Sequence, residues 1–356
     1  IAPVTIGGYN TLKKTYSYNP VPDDADDLVK KHIIGVQGNI WTEYMPSDNN
    51  RDYQAFPRAI AIAETGWTLN ANKNWNDFCQ RMVEDFRRMD VKNVKACRNF
   101  FDVNINTHVD ESDTLKVILE SFYPNAEIHY TTDGSTPTVE SALYNRPFTL
   151  SGEIEVKAAA FKDGQMLGKV TGKKLYGNLI SGKSFTVTPA IGGAKGDIFG
   201  ENDVLGTDIS TFGLTNGKRG NTASMTPWSG FRMDDNCKEM VFIVEFDEPT
   251  TVSKVVFGSL YNPASVILPP SVATIETSSD GQKYSKVAEA SFKRNYPERG
   301  RKAFTDTLAF EPREVTYLKV TLQNGGTLRN GIDFVKDPGS KEVVQANLYL
   351  DEIEVY

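Results

Sequence analysis

The apolar positions of this chain change their period near residue 100. Residues 32–41, HIIGVQGNIW, form a nearly continuous apolar run with two glycines. Such a run predicts a strand buried on both faces, as in a parallel sheet. Residues 52–66, DYQAFPRAIAIAETG, predict a helix with Pro57 in or near its first turn, where a missing N–H costs least. The spacing of Trp75, Phe78, Cys79, Met82, Phe86 and Met89 draws one apolar stripe, so a second helix is predicted over 74–90 with Asn74 as its cap. A strand followed by helices is a β–α unit. Alone it cannot bury both faces of its sheet, so residues 1–100 read as a fraction of an α/β domain.

Beyond that point the period becomes two. Leu115, Val117 and Leu119 alternate with polar neighbours, as do Ile128 and Tyr130, and then Ile154, Val156, Ala158 and Ala160. Thr132–Pro137 and Asp163-Gly164 are turn signals between them. Residues 101–178 therefore predict a small β-sandwich. Further strands are predicted at 239–246, 251–258, 272–278, 284–292, 315–322 and 346–356, with Asp280-Gly281 as a hairpin turn. The stretch 189–221 is rich in Gly and Asn and reads as loop, and no internal repeat is visible. Residues 179–356 thus predict a second β-sandwich or jelly roll. Along 348–355, Leu348 and Leu350 set one parity while Ile353 and Val355 set the other. That slip predicts a bulge, or an inward carboxylate, at Asp351-Glu352. An inward carboxylate needs a partner, and both a hard cation such as Ca²⁺ and a buried Arg or Lys remain open.

Composition narrows the chemistry. The 356 residues carry 39 basic and 46 acidic side chains, a net charge of −7, which gives no electrostatic footprint for nucleic acid. The basic run at Lys293-Arg294, Arg299, Arg301 and Lys302 reads as a solvated loop. No apolar stretch is long enough to span a membrane. His32, His108 and His129 share no ligand spacing, and Cys79, Cys97 and Cys237 form no Cys-x-x-Cys, so zinc chemistry is not expected. The sequence opens Ile1-Ala2-Pro3 without an initiator Met or a signal-type core, and predicts a partial or processed chain.

The candidate binding residues are Trp41 and Glu43 in NIWTEYMP. Two residues apart on a strand, they share a face. At the C-terminal end of a parallel strand that face opens where α/β barrels place their sites. An indole wall beside a carboxylate suits a sugar, one packing on the ring's C–H face and the other accepting from its hydroxyls. A core Trp beside a surface Glu is the plainer reading, and spacing alone leaves both open.

The run GVQGNIWTEYM followed by DYQAFPRAIAIAETGWT resembles the last strand and helix of the barrel of family 20 glycoside hydrolases, the β-N-acetylhexosaminidases. The resemblance covers residues 1–100. It implies that Trp41 lines the pocket of a terminal N-acetylhexosamine and that Glu43 hydrogen-bonds its hydroxyls. Arg58 and Glu64 also match, and helix–strand packing is the expected role for both. The family hydrolyses with retention through the substrate's own acetamido group, using an adjacent Asp-Glu pair in mid-barrel. Here Asp110-Glu111, Asp247-Glu248 and Asp351-Glu352 all fall outside the barrel-like part, so no catalytic residue is assigned in this chain and it is expected to be inactive alone.

Residues 101–178, with IHYTTDGSTPTVESALYNRPFTL and EVKAAAFKDGQMLG, are similar to a small β domain of bacterial hexosaminidases. Tyr130, Tyr144 and Phe148 are expected as packing residues there. Residues 203–356, through GLTNGKRGN, PWSGF, LKVTLQN and LYLDEIEVY, resemble discoidin-like (F5/8 type C) carbohydrate-binding domains. That likeness implies a structural Ca²⁺ at positions matching Asn216 and Glu352, although Asn216 stands where an Asp is common. Trp228, Phe231, Tyr261, Arg294 and Tyr296 are loop candidates for sugar contact.

The fold class expected is therefore a terminal fragment of a (β/α)8 barrel at 1–100, an immunoglobulin/fibronectin-like sandwich at 101–178 and a discoidin-like jelly roll at 179–356. The expected function is that of part of an exported exo-β-N-acetylhexosaminidase that needs no cofactor for catalysis. Its partners would be N-acetylhexosamine-containing glycans and, through the incomplete barrel, other copies of itself. A non-catalytic carbohydrate-binding or adhesion segment is the alternative.

Overall fold

Pro57 divides the first helical region. The computed structural model describes residues 10–42, 45–189, 213–222, 228–297, 300–329 and 343–356. Within it the single helix expected over 52–66 is two, α3 (Asp48–Ala55) and α4 (Arg58–Trp67), after the short α1 (Leu12–Ser17) and α2 (Asp27–His32). Proline offers no N–H and drives the residue before it out of the helical region, and Phe56 is accordingly extended at φ −104°, ψ 139°. The last helix, α5 (Trp75–Val91), forms as its stripe predicts. Asn74 caps it by accepting from the Asp77 N–H, and Phe78, Cys79, Met82, Phe86 and Met89 are buried.

By packing, the chain divides into two compact units. The first comprises Ile1–Ile105, Leu119–Asn145 and Lys157–Gly172, and the second Asn106–Ile118, Arg146–Val156 and Lys173–Tyr356. The core of the first is the α5 stripe closed by Tyr16, Ala61, Ala96 and Phe100, with Phe122 and Tyr123 against it. Rings interlock there: Tyr16 and Trp75 lie 5.2 Å apart edge to face, and Trp75 and Phe122 5.3 Å.

Residues 33–41 do not form the expected buried strand. They carry no regular structure and most are exposed, Ile34 almost wholly. A parallel strand takes its hydrogen bonds from neighbours, and among the described residues none pairs with this segment. It still leans on α4: Val36 Cγ2 would lie 3.2 Å from a Cβ at Gly66, and a side chain at Gly38 would strike Ile62.

The middle of the chain contributes β1 (Val103–Val109), β2 (Leu115–Ser121), β3 (Glu127–Thr131), β4 (Ala142–Leu143), β5 (Phe148–Thr149), β6 (Glu153–Lys162), β7 (Gln165–Met166) and β8 (Thr171–Tyr176). They form a three-stranded sheet β1-β2-β5 and a five-stranded sheet β4-β3-β6-β7 with β8 beside β6. The expected alternation holds in β2, where Leu115, Val117 and Leu119 are buried. The turn joining β6 and β7 has Asp163 and Gly164 at φ 51° and 75°, the left-handed pair a tight hairpin requires.

The second unit is dominated by one antiparallel sheet. Its strands are β9 (Thr186–Thr188), β10 (Ser229–Phe231), β11 (Glu239–Tyr261), β12 (Val272–Ser278), β13 (Ser285–Ser291), β14 (Lys302–Gln323) and β17 (Leu348–Val355). The order is β10-β17-β11-β14-β12-β13 with β9 beside β11, while β15 (Thr327–Arg329) and β16 (Val343–Gln345) pair separately. The two long strands β11 and β14 run antiparallel, and their register shifts between Glu245 and Thr250. Met240, Phe242 and Val244 of one half of β11 share a core with Val255 and Phe257 of the other, and with Leu318, Val320, Leu348 and Ile353. The sheet thus closes on its own apolar faces as a sandwich.

Candidate functional site

The best-built polar site lies at the predicted parity slip in β17. Leu350 pairs with Ser259 of β11 and Ile353 with Phe257, so Asp351 and Glu352 together oppose the single residue Gly258. That is a β-bulge, and at and beside it Asp351, Glu352 and Glu354 are all buried to within a few per cent. Gly258 is required by it. A Cβ there would fall onto the Asp351 carboxylate and lie 2.6 Å from Arg219 Nη1.

The loop 213–220 meets these carboxylates. Arg219 forks between two of them, Nη1 3.1 Å from Asp351 Oδ1 and Nη2 2.7 Å from Glu354 Oε1. Its guanidinium carbon lies 5.6 Å from the Tyr176 ring centre. The Gly220 N–H donates to Asp351 Oδ2 at 2.7 Å. Glu352, fully buried, accepts from the Asn216 N–H (3.1 Å) and the Gly217 N–H (2.8 Å), one on each oxygen. Gly217 sits at φ 72°, the left-handed conformation that aims successive amides at one anion. Tyr356 Oη donates to Glu354 Oε2 at 2.8 Å.

Electrostatics follow from burial. Desolvation pushes the Glu352 carboxyl well above the usual carboxylate range, against the Gly217 N–H bond. Burial also raises Asp351, although Arg219 opposes it. Burial weakens the Arg219 charge, but Asp351 and Glu354 more than restore it, and its pKa is raised. An open groove of about 480 Å³ lies alongside, lined by Glu153, Tyr176, Arg219, Lys254, Glu354 and Tyr356.

Asn216 and Glu352, the residues expected to hold Ca²⁺, are therefore neighbours. The donors around them do not suit the ion. Ca²⁺ takes 6–8 oxygen ligands. Here Asn216 Oδ1 accepts from the Lys218 N–H at 3.0 Å, and both Glu352 oxygens face amide hydrogens. Among the described residues no group of three or more His, Cys, Asp or Glu could hold a metal.

The other expected positions are scattered. Trp41 is 70% exposed, and Glu43 lies outside the described residues. Arg58 Nε donates to the Gln54 carbonyl at 3.0 Å, which satisfies the C-terminal end of α3. Glu64 is held by Arg81 through two bonds of 2.7 and 3.0 Å, tying α4 to α5. Trp228 and Phe231 are core residues, and Trp228 Nε1 donates to the Asn221 carbonyl. Arg294 is buried against Asp306, between Phe292 and Phe304 at 4.6 and 4.7 Å. Tyr261 is buried and stacks on the half-open Tyr296 at 4.6 Å and 9°. Sequence reasoning missed Arg219, Gly258 and Glu354. The signal for Arg219 was present, as a cation three residues after Asn216 in a chain whose last strand turns carboxylates inward.

Comparison with known proteins bears on the N-terminal segment. Residues 2–70 match the catalytic domain of glycosyl hydrolase family 20. The N-terminal segment is thus similar to family 20 sequence. Residues 117–175 match the family described as Fn3 associated. A β-hexosaminidase of Porphyromonas gingivalis is 31% identical over 161 residues, which is 44% of this chain and 21% of that protein. A β-hexosaminidase of Akkermansia muciniphila is 37% identical over 82 residues, 23% of this chain and 16% of that one. The chain thus spans about a fifth of the length of these relatives. Among solved structures, chitosan-binding module 1 of a chitosanase/glucanase from Paenibacillus sp. IK-5 is 19% identical with a TM-score of 0.30, over 51% of this chain and 99% of that one. CBM32-3 of a family 31 glycoside hydrolase from Clostridium perfringens is 13% identical with a TM-score of 0.29, over 49% and 89%.

Proposed function

We propose that the family 20 segment is part of an exported β-N-acetylhexosaminidase that removes terminal N-acetylhexosamine with substrate-assisted retention. In this reading Trp41 and Glu43 form one edge of the sugar pocket, and the β domains that follow are accessory glycan-binding modules. What carries the reading is the Trp41-x-Glu43 motif inside the matched segment, with its indole left open to solvent. The test is turnover of a chromogenic N-acetylglucosaminide by the polypeptide that includes the catalytic pair. Glu43→Gln and Trp41→Ala should each lower it by roughly 10²-fold. Unchanged turnover in both would remove these residues from the pocket.

One observation favours a second reading for this chain by itself, a glycan-binding segment without catalysis. The aspartates of two of its Asp-Glu pairs, and both acids of the third, are engaged elsewhere. Asp110 faces Lys116 at 3.5 Å, Asp247 pairs with Lys183, and Asp351 and Glu352 are held in the β17 bulge. No carboxylic acid of such a pair stands free beside Trp41 among the described residues. The chain alone should leave the chromogenic substrate intact while binding glycans on an array. A flat array would reduce the β domains to spacers.

A further inference from the structure

The acid cluster of β17 poses a charge problem that the structure solves internally. Three carboxylates, Asp351, Glu352 and Glu354, are buried within four consecutive residues. Buried charges need partners, and a divalent cation is one way to supply the positive charge. We propose instead that Arg219, through Asp351 and Glu354, is the permanent counter-charge of this cluster, that the Asn216 and Gly217 amides hold Glu352 where the sequence resemblance implies a calcium ion, and that this β unit is closed without metal.

The oxygens show how. A cation at this loop would draw on the carbonyls of residues 213–217, on Asn216 Oδ1 and on Glu352. The carbonyl of Gly213 accepts from Asn216 Nδ2, Asn216's from the Thr107 hydroxyl, and those of Leu214, Thr215 and Gly217 from the N–H groups of Ile353, Gly182 and Tyr176. Every one of these carbonyls therefore already meets a protein donor, at 2.8–3.3 Å. The two Glu352 oxygens are turned toward amide hydrogens, the positive ends of peptide dipoles, which repel a cation. Calcium would have to enter a shell of donors.

Arg219 has the shape the cluster requires. Its planar fork reaches Asp351 with one nitrogen and Glu354 with the other, 3.1 and 2.7 Å away. A point charge such as ammonium or Ca²⁺ cannot spread in that way. The fork is covered on one side by Tyr176 and is admitted because residue 258 has no side chain. The remaining negative charge is met by the N–H groups of Asn216, Gly217, Gly220 and Glu352 and by the Tyr356 hydroxyl.

The test uses the full chain. Thermal unfolding is followed in millimolar CaCl2 and in EDTA, together with hydrogen exchange at the Asn216 and Gly217 amides and calorimetric titration with CaCl2. The expected result is the same Tm in both solutions, protected amides in both, and no heat of binding. Arg219→Met should lower Tm by several degrees and open those amides, with Arg219→Lys intermediate. A rise in the wild-type Tm of more than about 4 °C with calcium, reversed by EDTA, would overturn the proposal. So would amide protection that vanishes in EDTA, or an Arg219→Met protein as stable and as protected as the wild type. If Arg219→Met does not fold, the wild-type measurements decide alone.

Discussion

Gly258 and Glu352 are two ends of one constraint. The bulge puts Asp351 and Glu352 opposite a single residue, and the extra side chain has to occupy the space that a Cβ at 258 would take. Gly258→Ala therefore drives an atom into a carboxylate and a guanidinium that cannot both move away. Overpacking of this kind costs about 1–3 kcal/mol, and a lower denaturation midpoint with unchanged m-value would register it. Wild-type stability in Gly258→Ala would mean that the bulge relaxes. Glu352 adds a pH signature. Its folded pKa is raised by burial above the ordinary 4.5, so the folded chain holds this proton more tightly than the unfolded one. The contribution is full below the unfolded value and is lost as pH rises through the folded value. Asp351 is raised likewise, while Asp110, Asp133, Asp247, Asp280 and Glu289 are lowered and slope the other way. The difference between wild type and Glu352→Gln isolates the one group. The wild type should lose stability relative to Glu352→Gln as pH climbs from 4.5, and parallel pH profiles would contradict the buried ionisable role.

At the scale of elements, α5 shows what a sequence states openly. Its stripe lies within one segment, so periodicity alone located Phe78, Cys79, Met82, Phe86 and Met89 in the core. Met82 is fully buried among aromatic rings, and Met82→Ala should cost about 2–5 kcal/mol in chemical denaturation. A loss below 1 kcal/mol would mean that the site collapses around the smaller residue. The β17 bulge was legible for the same reason, since parity is a local property. Elements that depend on distant partners were not. The first half of β14 escaped notice although Phe304, Asp306, Leu308 and Phe310 alternate. An aspartate at an inward position broke the apolar pattern, and only the burial of Arg294 beside it makes that position sensible. The run 32–41 erred in the opposite direction. Its apolar content specifies a buried strand, but a strand needs neighbours, and none pairs with it among the described residues. The pocket edge proposed at Trp41 and Glu43 depends on distant partners in the same way, because it is not a local property either. Phe56 and Pro57 marked a boundary that the apolar period of 52–66 ran across, and the proline's missing N–H overrode the period.

For the molecule as a whole, exposed apolar surface is distributed unevenly. Ile34, Ile40, Trp41, Trp67 and Leu69 are all open, the first and fourth at 99% and 92%, and all lie in the first compact unit. The sheet of the second unit buries its large apolar residues almost completely. Large clustered apolar exposure drives association. Among the described residues no strand pairs with the segment 33–41, whose backbone can accept an added strand. In dilute solution its amides should exchange nearly as fast as a free peptide's, while the central amides of β11 and β14 exchange only on global opening. Raising the concentration should bring protection to 33–41 together with a rise in sedimentation coefficient. Trp67→Ser should delay both, because it removes the most exposed ring without touching the α5 core. The two readouts must move together for the apolar face to be the contact. Association that leaves 33–41 unprotected would place the contact elsewhere, and a sedimentation coefficient independent of concentration would show that this surface tolerates water.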